Sequence, residues 1–363
     1  MKTRFLSLAL FLFAIFIFRA FPYSEMERYE EALFYQKLPD KKVKCELCPN
    51  FCLLKEGETG RCKARKNIDG KLYSMVYGRI AALHIDMIEK KPLYHFLPGS
   101  QIYSIATPGC NLKCKFCQNW EISQAYPNEV QTKYMTPEEV ILDVKSKKLN
   151  SIAFTYTEPT VYYEYMLDIA KLAKKNKIKT VVISAGYINP EPLKKLLPYI
   201  DAYKIDFKGF NPEFYRKMTS GKVENVLEAM KIIKKSGVWL EIVNLLIPGE
   251  NDSDEDIKKL SLWVKENLGA DTPLHFTRFY PNYKLKDLPP TPMEKIKKAR
   301  EIAMKIGLNY VYTGNIPDNE GSATYCPKTK EKAIIRNGFF FIQNNLDKEG
   351  RCPDGLKIPG IWN

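Results

Sequence analysis

Three cysteines stand within eight residues of one another. They are Cys110, Cys114 and Cys117, with the spacing Cys-x3-Cys-x2-Cys. Thiolates this close together on a short loop can occupy three corners of a 4Fe-4S cube. The fourth iron of such a cube has no protein ligand, so a small molecule can bind to it. A zinc ion that takes a fourth ligand from elsewhere in the chain is the alternative interpretation.

Four further cysteines form a second group nearer the amino terminus. They are Cys45, Cys48, Cys52 and Cys62, separated by two, three and nine residues. Four thiolates can hold a structural zinc ion or a second 4Fe-4S cluster; the spacing leaves both open, as well as no metal at all. Close Cys-x2-Cys pairs suit metal better than disulfides. Because metal-bound thiolates indicate a reducing compartment, we expect the chain in the cytoplasm.

Polar residues follow several predicted strands at the point where each strand ends. Glu158 stands in Thr-Tyr-Thr-Glu-Pro, where its carboxylate can accept hydrogen bonds from an ammonium group. The same carboxylate could instead do no more than stabilise a helix that starts at Pro159. On the next strand, Ser184 offers a hydroxyl group, and Gly186 permits close approach of a ligand to the backbone.

Two charged residues on the fourth predicted strand share one face. Asp206 and Lys208 are two positions apart, so both can point into one pocket, although a plain salt bridge is the alternative. His275 is predicted to end the sixth strand, where a lone histidine can line a pocket or belong to the core. Glu241 and Asn244, near the fifth strand, are further candidates to line the substrate space.

The elements that must position these residues alternate between strands and helices. Apolar β runs are predicted at Ile102–Ala106, Ser151–Tyr156, Thr180–Ser184, Ala202–Ile205, Trp239–Leu246, Leu274–Phe279 and Asn309–Tyr312. Amphipathic helices are predicted around Glu138–Ser146, Val161–Lys174, Pro192–Leu197, Val223–Lys235, Asp254–Asn267 and Pro292–Ile306. Repeated βα units build a parallel sheet, and seven of them fit a partial, open or full (β/α) TIM-like barrel. Chemistry in such barrels lies at the carboxyl ends of the strands, where the candidate residues stand.

From about Tyr103 to Asn315 the chain resembles the radical SAM (S-adenosylmethionine) enzymes, which carry the three-cysteine motif described above. The resemblance implies a 4Fe-4S cluster and SAM as cofactors. Phe116 matches an aromatic residue that packs near the adenine of SAM. Thr157 and Glu158 match the Gly-Glu-Pro element of the superfamily, here Thr-Glu-Pro, whose glutamate meets the methionyl ammonium group.

Two later motifs are also similar to those of the superfamily. Ser184 and Gly186 match residues that approach the ribose, although Ala185 replaces the expected asparagine. Asp206 and Lys208 resemble the Asp-x-Lys pair of the glycyl-radical enzyme activases. In those relatives the lysine meets the SAM carboxylate, and the aspartate helps to hold a monovalent cation.

The resemblance implies a specific chemistry. A reduced cluster passes one electron to the sulfonium of SAM, the carbon–sulfur bond breaks, and a 5′-deoxyadenosyl radical abstracts hydrogen from a substrate that the sequence does not identify. A reductant such as ferredoxin or flavodoxin is implied as a partner, and the barrel keeps water from the radical. His275 matches a pocket histidine of the activases, and no residue is assigned as catalytic.

Residues 26–363 as a whole resemble the radical SAM component of the AmmeMemoRadiSam system. That family is often described as homologous to the pyruvate formate-lyase activating enzyme. The four-cysteine segment and the run Pro-Leu-Tyr-His-Phe-Leu-Pro-Gly at 92–99 carry this narrower resemblance. It implies Memo-like and AMMECR-like proteins as partners.

The carboxyl-terminal tail departs from the pattern of that family. Relatives carry two Cys-Pro-x-Cys knuckles that form a zinc ribbon, but Cys326 and Cys352 each stand in a knuckle without its second cysteine. We therefore predict a ribbon-like tail without metal, held by the packing of Phe339, Phe340 and Phe341.

The chain is expected to divide into four parts. These are an apolar extension at 1–25, a small cysteine-rich domain at 26–95, the barrel at 96–317 and the degenerate zinc-ribbon-like tail at 318–363. The extension contains a run of 14 residues, Phe5–Phe18, that is apolar except for Ser7, whereas a membrane-spanning helix needs roughly 20. A mis-assigned start before Met26, a cytoplasm-facing membrane anchor and an export signal are the three interpretations.

The surface charge does not by itself indicate a partner. The formal net charge is +14, from 56 Lys and Arg against 42 Asp and Glu. The lysines stand beside glutamates in predicted helices, which is typical of a solvated, heat-adapted surface, so nucleic-acid binding is not expected.

The sequence leaves two other functions open besides radical chemistry on an unknown substrate. One is a glycyl-radical enzyme activase, similar to the pyruvate formate-lyase activating enzyme. The other is a non-catalytic iron–sulfur electron carrier or zinc-binding module. Such a module would have no use for a vacant iron site or for Glu158, Asp206 and Lys208 converging on it.

Overall fold

The four amino-terminal cysteines stand among short antiparallel strands. The computed structural model describes residues 29–363, so the predicted extension at 1–25 lies outside the described residues. The strands are β1 (Glu30–Glu31), β2 (Tyr35–Lys37), β3 (Val43–Cys45), β4 (Leu53–Leu54), β5 (Arg65–Ile68), β6 (Lys71–Ser74) and β7 (Arg79–Ile80). The first six form two sheets, in the orders β2-β3-β4 and β1-β6-β5. The hairpin β5–β6 turns through Asp69 and Gly70, which both have positive φ, as a type I′ turn requires.

A parallel sheet forms the centre of the molecule. Its strands are β8 (Ala82–Met87), β9 (Gln101–Ala106), β11 (Ser151–Phe154), β12 (Lys179–Ser184), β13 (Ala202–Asp206), β14 (Trp239–Leu246), β15 (Leu274–Arg278) and β16 (Val311–Gly314), while β10 (Lys133–Tyr134) pairs with β7. Strand order is β16-β15-β14-β13-β12-β11-β9-β8, and every pair is parallel except β8–β9. The seven parallel strands are almost entirely buried, as expected where helices cover one face and the barrel interior the other.

Helices separate the strands and cover the outside of the sheet. They are α1 (Trp120–Ser123), α2 (Pro137–Ser146), α3 (Tyr163–Lys175), α4 (Pro190–Leu196), α5 (Pro212–Thr219), α6 (Val223–Ser236), α7 (Asp254–Leu268), α8 (Met293–Ile306) and α9 (Asn319–Ser322). Thr136 begins α2 with a capping box that it completes with Glu139. Within residues 29–363, none of the helices has the length and apolar character needed to cross a membrane.

The predicted fold class is confirmed. Seven parallel strands alternate with helices, and in the described part of the chain β16 pairs with β15 alone, so the barrel is open. Strand β8 was not predicted, because His84 and Asp86 interrupt its apolar run. Helix α5 was not predicted either, although Asn211 followed by Pro212 is a helix-start signal. The Asn211 side chain accepts hydrogen bonds from two backbone N–H groups there.

Residues 88–97, which we call the plug, fill the interior of the barrel at the amino ends of its strands. Ile88, Leu93, Phe96 and Leu97 are buried in one cluster with interior residues of five strands. Those strand residues are Ile102, Ala153, Val181, Ile183, Ala202 and the half-buried Trp239. The interior is therefore closed at the amino end of the sheet and open towards the carboxyl ends.

The four-cysteine segment is joined to the barrel by a buried ion pair. Arg65 on β5 donates a hydrogen bond to Glu164 on α3, and their side chains are 1% and 4% exposed. The same guanidinium donates to the carbonyl oxygen of Leu33, and Glu164 also accepts from the backbone N–H of Leu33. Apolar residues of the segment share one continuous core with the barrel.

The tail forms an antiparallel sheet, but not with the predicted packing. Its strands are β17 (Thr324–Tyr325), β18 (Lys332–Asn337) and β19 (Phe340–Asn344). A disulfide joins Cys326 and Cys352, which lie in the core of the tail. The prediction that three phenylalanines hold the tail is wrong for Phe340, which is 69% exposed, and for Phe339, which is also exposed. Only Phe341 packs at the edge of this core, because β19 is an edge strand that alternates its side chains between two faces.

His95 of the plug links the barrel to the tail. Its ring contacts the carbonyl oxygen of Pro359 through Nδ1 at 2.7 Å and the hydroxyl of Tyr312 through Nε2 at 2.6 Å. A neutral ring that carries its proton on Nδ1 satisfies both contacts, since Nδ1 then donates to Pro359 and Nε2 accepts from Tyr312. Burial lowers the pKa of His95 to about 4, so the ring is neutral near pH 7.

Stability is expected to fall when His95 is forced to take up a proton. Because its pKa is lowered on folding, the unfolded chain binds more protons below pH 6.5, and stability is lost as the pH falls from 6.5 through about 4. The loss over this range amounts to roughly 2–3 kcal/mol. His95→Gln should therefore flatten the pH dependence of the free energy of unfolding, measured by urea titration, whereas His84→Gln, at an exposed ring, should not. Parallel curves for wild type and His95→Gln would contradict this role.

Candidate active site

A cavity with a volume of about 320 Å³ opens at the carboxyl ends of the barrel strands. Nearly all the predicted site residues border it. Those that do are Cys110, Cys114, Phe116, Cys117, Thr157, Glu158, Ser184, Asp206, Lys208 and His275. Gly186 is not among the residues that border the cavity. The convergence follows from the fold, because the carboxyl ends of parallel strands meet at one edge of a sheet.

The three-cysteine loop follows β9 and is anchored on two sides. On one side, the backbone N–H groups of Lys113 and Lys115 donate to the carbonyl oxygens of Thr219 and Met218 in α5. On the other, the N–H of Cys110 donates to the carbonyl oxygen of Cys62 at 3.2 Å. The loop therefore contacts both the barrel and the four-cysteine segment.

Gly109 permits the close approach of these two cysteine segments. Its φ is +99°, and a Cβ atom at this position would lie 2.5 Å from the carbonyl oxygen of Cys62. Both the backbone conformation and the space thus require glycine.

The sulfur atoms of the loop are suited to hold an iron–sulfur cluster. Burial raises the pKa of Cys110 and of Cys114, the latter to about 12, so the thiolates need a cation to form. The backbone N–H of Leu112 donates to Cys110 Sγ at 3.4 Å, and Cys117 Sγ lies 3.2 Å from the hydroxyl of Ser123. Across residues 29–363, no three His, Cys, Asp or Glu side chains close on the position of a single metal ion. The three thiols instead border a large cavity, which fits a cube better than one ion.

Glu158 lies at the end of the second parallel strand and is 2% exposed. Its Oε1 accepts three hydrogen bonds, from the hydroxyl of Ser184 at 2.7 Å and from the hydroxyl and N–H of Thr160. Its Oε2 accepts one, from the N–H of Ala185 at 2.9 Å, and so can accept another. The carboxylate does cap the short 3-10 helix at Pro159–Tyr162, but it also borders the cavity. Burial raises the pKa of Glu158, an effect that the four hydrogen bonds oppose.

The loop after β12 donates hydrogen bonds to Glu158, and its Gly186 does not face the cavity. The hydroxyl of Ser184 both donates to Glu158 and accepts from the N–H of Gly186 at 2.9 Å. Gly186 has φ +70°, and a Cβ there would lie 3.1 Å from the side chain of Ile205. The glycine is thus required by the turn and by helix–strand packing. The adjoining Ala185 borders the cavity.

A row of charged residues on β13 enters the cavity. Asp206 is hydrogen-bonded to Lys204 and lies 3.6 Å from Lys208. Burial acts to raise the pKa of Asp206, but the two ammonium groups outweigh it and hold that pKa below its usual value. The Lys208 ammonium group stands 6.0 Å from the ring centre of Phe116, within the three-cysteine loop. Sequence reasoning missed Lys204, although its position two residues before Asp206 places it on the same face.

His275 and two neighbouring candidates are placed differently from the expectation. His275 is the second residue of β15 rather than its last, and its Nε2 contacts Glu241 at 2.8 Å. Glu241 is fully buried and also accepts from the N–H groups of Tyr94 and His95 in the plug, so it anchors the plug and does not border the cavity. Asn244 points to the opposite face and donates to the carbonyl oxygen of Phe207. The prediction was wrong for Glu241, which is taken up by contacts with the plug, and for Asn244, whose side chain lies on the opposite face of β14. His275 itself borders the cavity.

The other four cysteines border a second, smaller cavity. Cys45, Cys48, Cys52 and Cys62 line it together, and its volume is about 20 Å³. Arg65 Nη1 lies 3.7 Å from Cys45 Sγ. Burial raises the pKa of Cys48, Cys52 and Cys62.

Asn111 joins the two cysteine groups. It stands between Cys110 and Cys114 in sequence, borders the smaller cavity and donates to the carbonyl oxygen of Tyr187. Its side-chain oxygen is buried and has no hydrogen-bond partner among residues 29–363.

Comparisons with known proteins show which family the chain resembles. Residues 104–261 match the family model described as the Radical SAM superfamily. The chain is 49% identical over 323 residues to the uncharacterized protein MJ0808 of Methanocaldococcus jannaschii, covering 89% of this chain and 96% of that one. It is 25% identical over 212 residues to the pyruvate formate-lyase-activating enzyme of Clostridium pasteurianum, covering 53% and 86%. Among solved structures, a domain of pyruvate-formate lyase-activating enzyme from Bacteroides vulgatus matches with 16% identity and TM-score 0.40, covering 45% of this chain and 98% of that one.

Replacing Gly109 by alanine should disturb the three-cysteine loop. The substitution adds a clash with a backbone oxygen to the strain of a positive φ, so we expect a loss of stability of about 2 kcal/mol or more. Gly237→Ala is the matched control, since Gly237 has φ +83° with no atom within 4 Å of the added Cβ. It should cost only about 1 kcal/mol. Equal losses in thermal and urea unfolding of the two variants would show that the contact between Gly109 and Cys62 does not constrain the loop.

Proposed function

The chain belongs to the radical SAM superfamily, and we propose that Cys110, Cys114 and Cys117 hold its 4Fe-4S cluster at the mouth of the barrel. It is an enzyme of this superfamily, with a 4Fe-4S cluster and SAM as cofactors. When bound, these supply a 5′-deoxyadenosyl radical that abstracts hydrogen from a substrate. One observation carries the assignment: the three cysteines border the same cavity as a buried carboxylate and a row of lysines.

The residues around the loop are proposed to orient SAM. The free acceptor position on Glu158 Oε2 would take the methionyl ammonium group, as a charge-assisted hydrogen bond in a dry site. Lys208 would meet the SAM carboxylate, and Asp206 would hold that lysine in place. Phe116 would pack near the adenine, and Thr157, whose hydroxyl donates to the carbonyl oxygen of Thr107, would fix the loop that ends in Glu158.

The assay that tests this function is formation of 5′-deoxyadenosine from SAM by the reconstituted, reduced protein. Cys114→Ser should abolish product, because one corner of the cluster is lost. Glu158→Gln should keep the cluster but raise the Kd for SAM by roughly tenfold or more, since a hydrogen bond to a charged group is weakened. Glu228→Gln, on the exposed face of α6, is the control and should match wild type. Product formation by Cys114→Ser equal to wild type would refute the proposed site.

We propose further that Cys45, Cys48, Cys52 and Cys62 hold a second 4Fe-4S cluster rather than zinc. Four sulfurs bound to one zinc ion would each lie about 2.3 Å from it, but across residues 29–363 no three His, Cys, Asp or Glu side chains close on the position of a single metal ion. The buried Arg65 beside Cys45 suits the net negative charge that four thiolates would give to either kind of metal site.

Metal analysis separates the two alternatives. A second cluster predicts about eight iron atoms and eight sulfides per reconstituted chain, and about half of each in Cys48→Ser. Cys114→Ser should also lose about half, while Cys326→Ser, which removes the tail disulfide only, should lose none. One zinc per chain that disappears in Cys48→Ser, with iron unchanged, would overturn the proposal.

A glycyl-radical enzyme activase is the second candidate function. It is favoured by the similarity to the pyruvate formate-lyase-activating enzyme of Clostridium pasteurianum. A stable glycyl radical, detected by electron paramagnetic resonance in a partner protein after incubation with this enzyme, would favour it. We also propose that the chain is the radical SAM component of an AmmeMemoRadiSam system. Its partners would then be Memo-like and AMMECR-like proteins, and its electron donor a ferredoxin or flavodoxin.

A further inference from the structure

Some of the charged residues that border the active-site cavity have no role in the proposed SAM site. The cavity is bordered by four lysines and two carboxylates, the lysines being Lys90, Lys91, Lys204 and Lys208 and the carboxylates Asp206 and Glu158. Glu158 and Lys208 are assigned to SAM above. Lys91 and Lys204 have no such role, although burying an ammonium group is costly unless it has a partner.

Lys91 reaches the cavity from the plug. Its side chain is 4% exposed, and its ammonium group is hydrogen-bonded to Asp86 and stands 4.6 Å from the ring centre of Tyr156. Asp86 is shared, since it also accepts from Lys90 at 3.0 Å and from the hydroxyl of Tyr156. One carboxylate therefore serves two ammonium groups, and Lys91 is incompletely neutralised.

Lys204 reaches the same region from β13. Its side chain is 5% exposed, and its partner Asp206 is shared with Lys208. Glu241, beside it in register on β14, is committed to His275 and to the backbone of the plug. The positive charges of Lys91 and Lys204 are close enough to lower the pKa of Lys91, although burial is the main cause of its fall to about 8.

We propose that Lys91 and Lys204 bind an anionic group, a carboxylate or a phosphate, of the substrate that enters the barrel beside SAM. An anion between the two ammonium groups would balance the positive charge that the shared carboxylates of Asp86 and Asp206 do not. Because the plug closes the barrel beneath these lysines, the anionic end of a small molecule would point down the barrel and its reacting carbon towards the cluster. The inference rests on the proposed function, since it places the substrate in the same cavity.

Binding of simple anions tests the inference without knowledge of the substrate. The probes are inorganic phosphate, succinate and the neutral succinamide, titrated calorimetrically into reconstituted, unreduced protein saturated with SAM. We expect phosphate or succinate to bind and succinamide not to bind; which of the two anions binds more tightly distinguishes a phosphate site from a carboxylate site. A response to succinamide equal to that of succinate, or no anion binding by the wild type, would overturn the proposal.

Three variants locate the anion. Lys91→Met and Lys204→Met each remove one charge at nearly constant side-chain length and should weaken anion binding about tenfold or more. Lys258→Met, on the exposed face of α7, removes a charge outside the barrel and should have no effect. Unchanged affinity in both Lys91→Met and Lys204→Met, with iron content equal to wild type, would refute the site. The wild-type comparison of the probes remains decisive if a variant fails to fold.

Failure of this inference differs from failure of the proposed function. Anion binding is measured without reduction, whereas 5′-deoxyadenosine formation requires it. Protein that binds succinate through Lys91 and Lys204 but never cleaves SAM would refute the radical function alone. Protein that cleaves SAM and ignores anions would refute the anion site alone.

Discussion

An open barrel leaves its interior unfilled at the amino ends of the strands, and here one segment of ten residues fills it. Apolar side chains of the plug pack against the interior of the barrel. The backbone N–H groups of Tyr94 and His95 in the plug donate hydrogen bonds to the buried carboxylate of Glu241. Such a carboxylate is stable in the interior because each of its oxygens is hydrogen-bonded. Burial acts to raise the pKa of Glu241, but His275 and these donors hold it at about 2, so the carboxylate keeps its charge.

Much of the remaining structure depends on the plug. His95 connects it to the tail through Pro359 and, by way of Tyr312, to the last barrel strand. Backbone hydrogen bonds between the plug and Ile361 fix the end of the chain. Because Lys91 belongs to the same segment, packing at the bottom of the barrel also sets the charge at the floor of the cavity. The packing of the barrel and the proposed anion site are thus linked through ten residues.

The two cysteine groups are a second point of connection. The hydrogen bond from Cys110 to the carbonyl oxygen of Cys62, and the absence of a side chain at Gly109, bring the loops into direct contact. The ion pair of Arg65 and Glu164 holds the same segment against α3. The four-cysteine segment therefore packs directly against one side of the three-cysteine loop.

Local patterns predicted the parallel strands, most helices and the three-cysteine motif, because each is encoded by neighbouring residues. Features that depend on distant contacts were missed. The plug reads as a loop, Lys204 as an ordinary strand lysine, and Cys326 and Cys352 as remnants of a zinc site rather than a disulfide. His275 is the second residue of β15, and its contact with Glu241 was missed because that residue lies 34 positions away in the sequence.

In the proposed site, the strand-end cavity presents SAM to a cluster held by only three cysteines. Electron–nuclear double resonance on the reduced protein tests this arrangement, with SAM labelled by 15N in its amino group and 17O in its carboxylate. We expect hyperfine coupling from the cluster to both labels, since the fourth iron has no protein ligand. A reduced cluster with the normal signal of a 4Fe-4S centre, SAM bound in stoichiometric amount and no coupling to either label would contradict it.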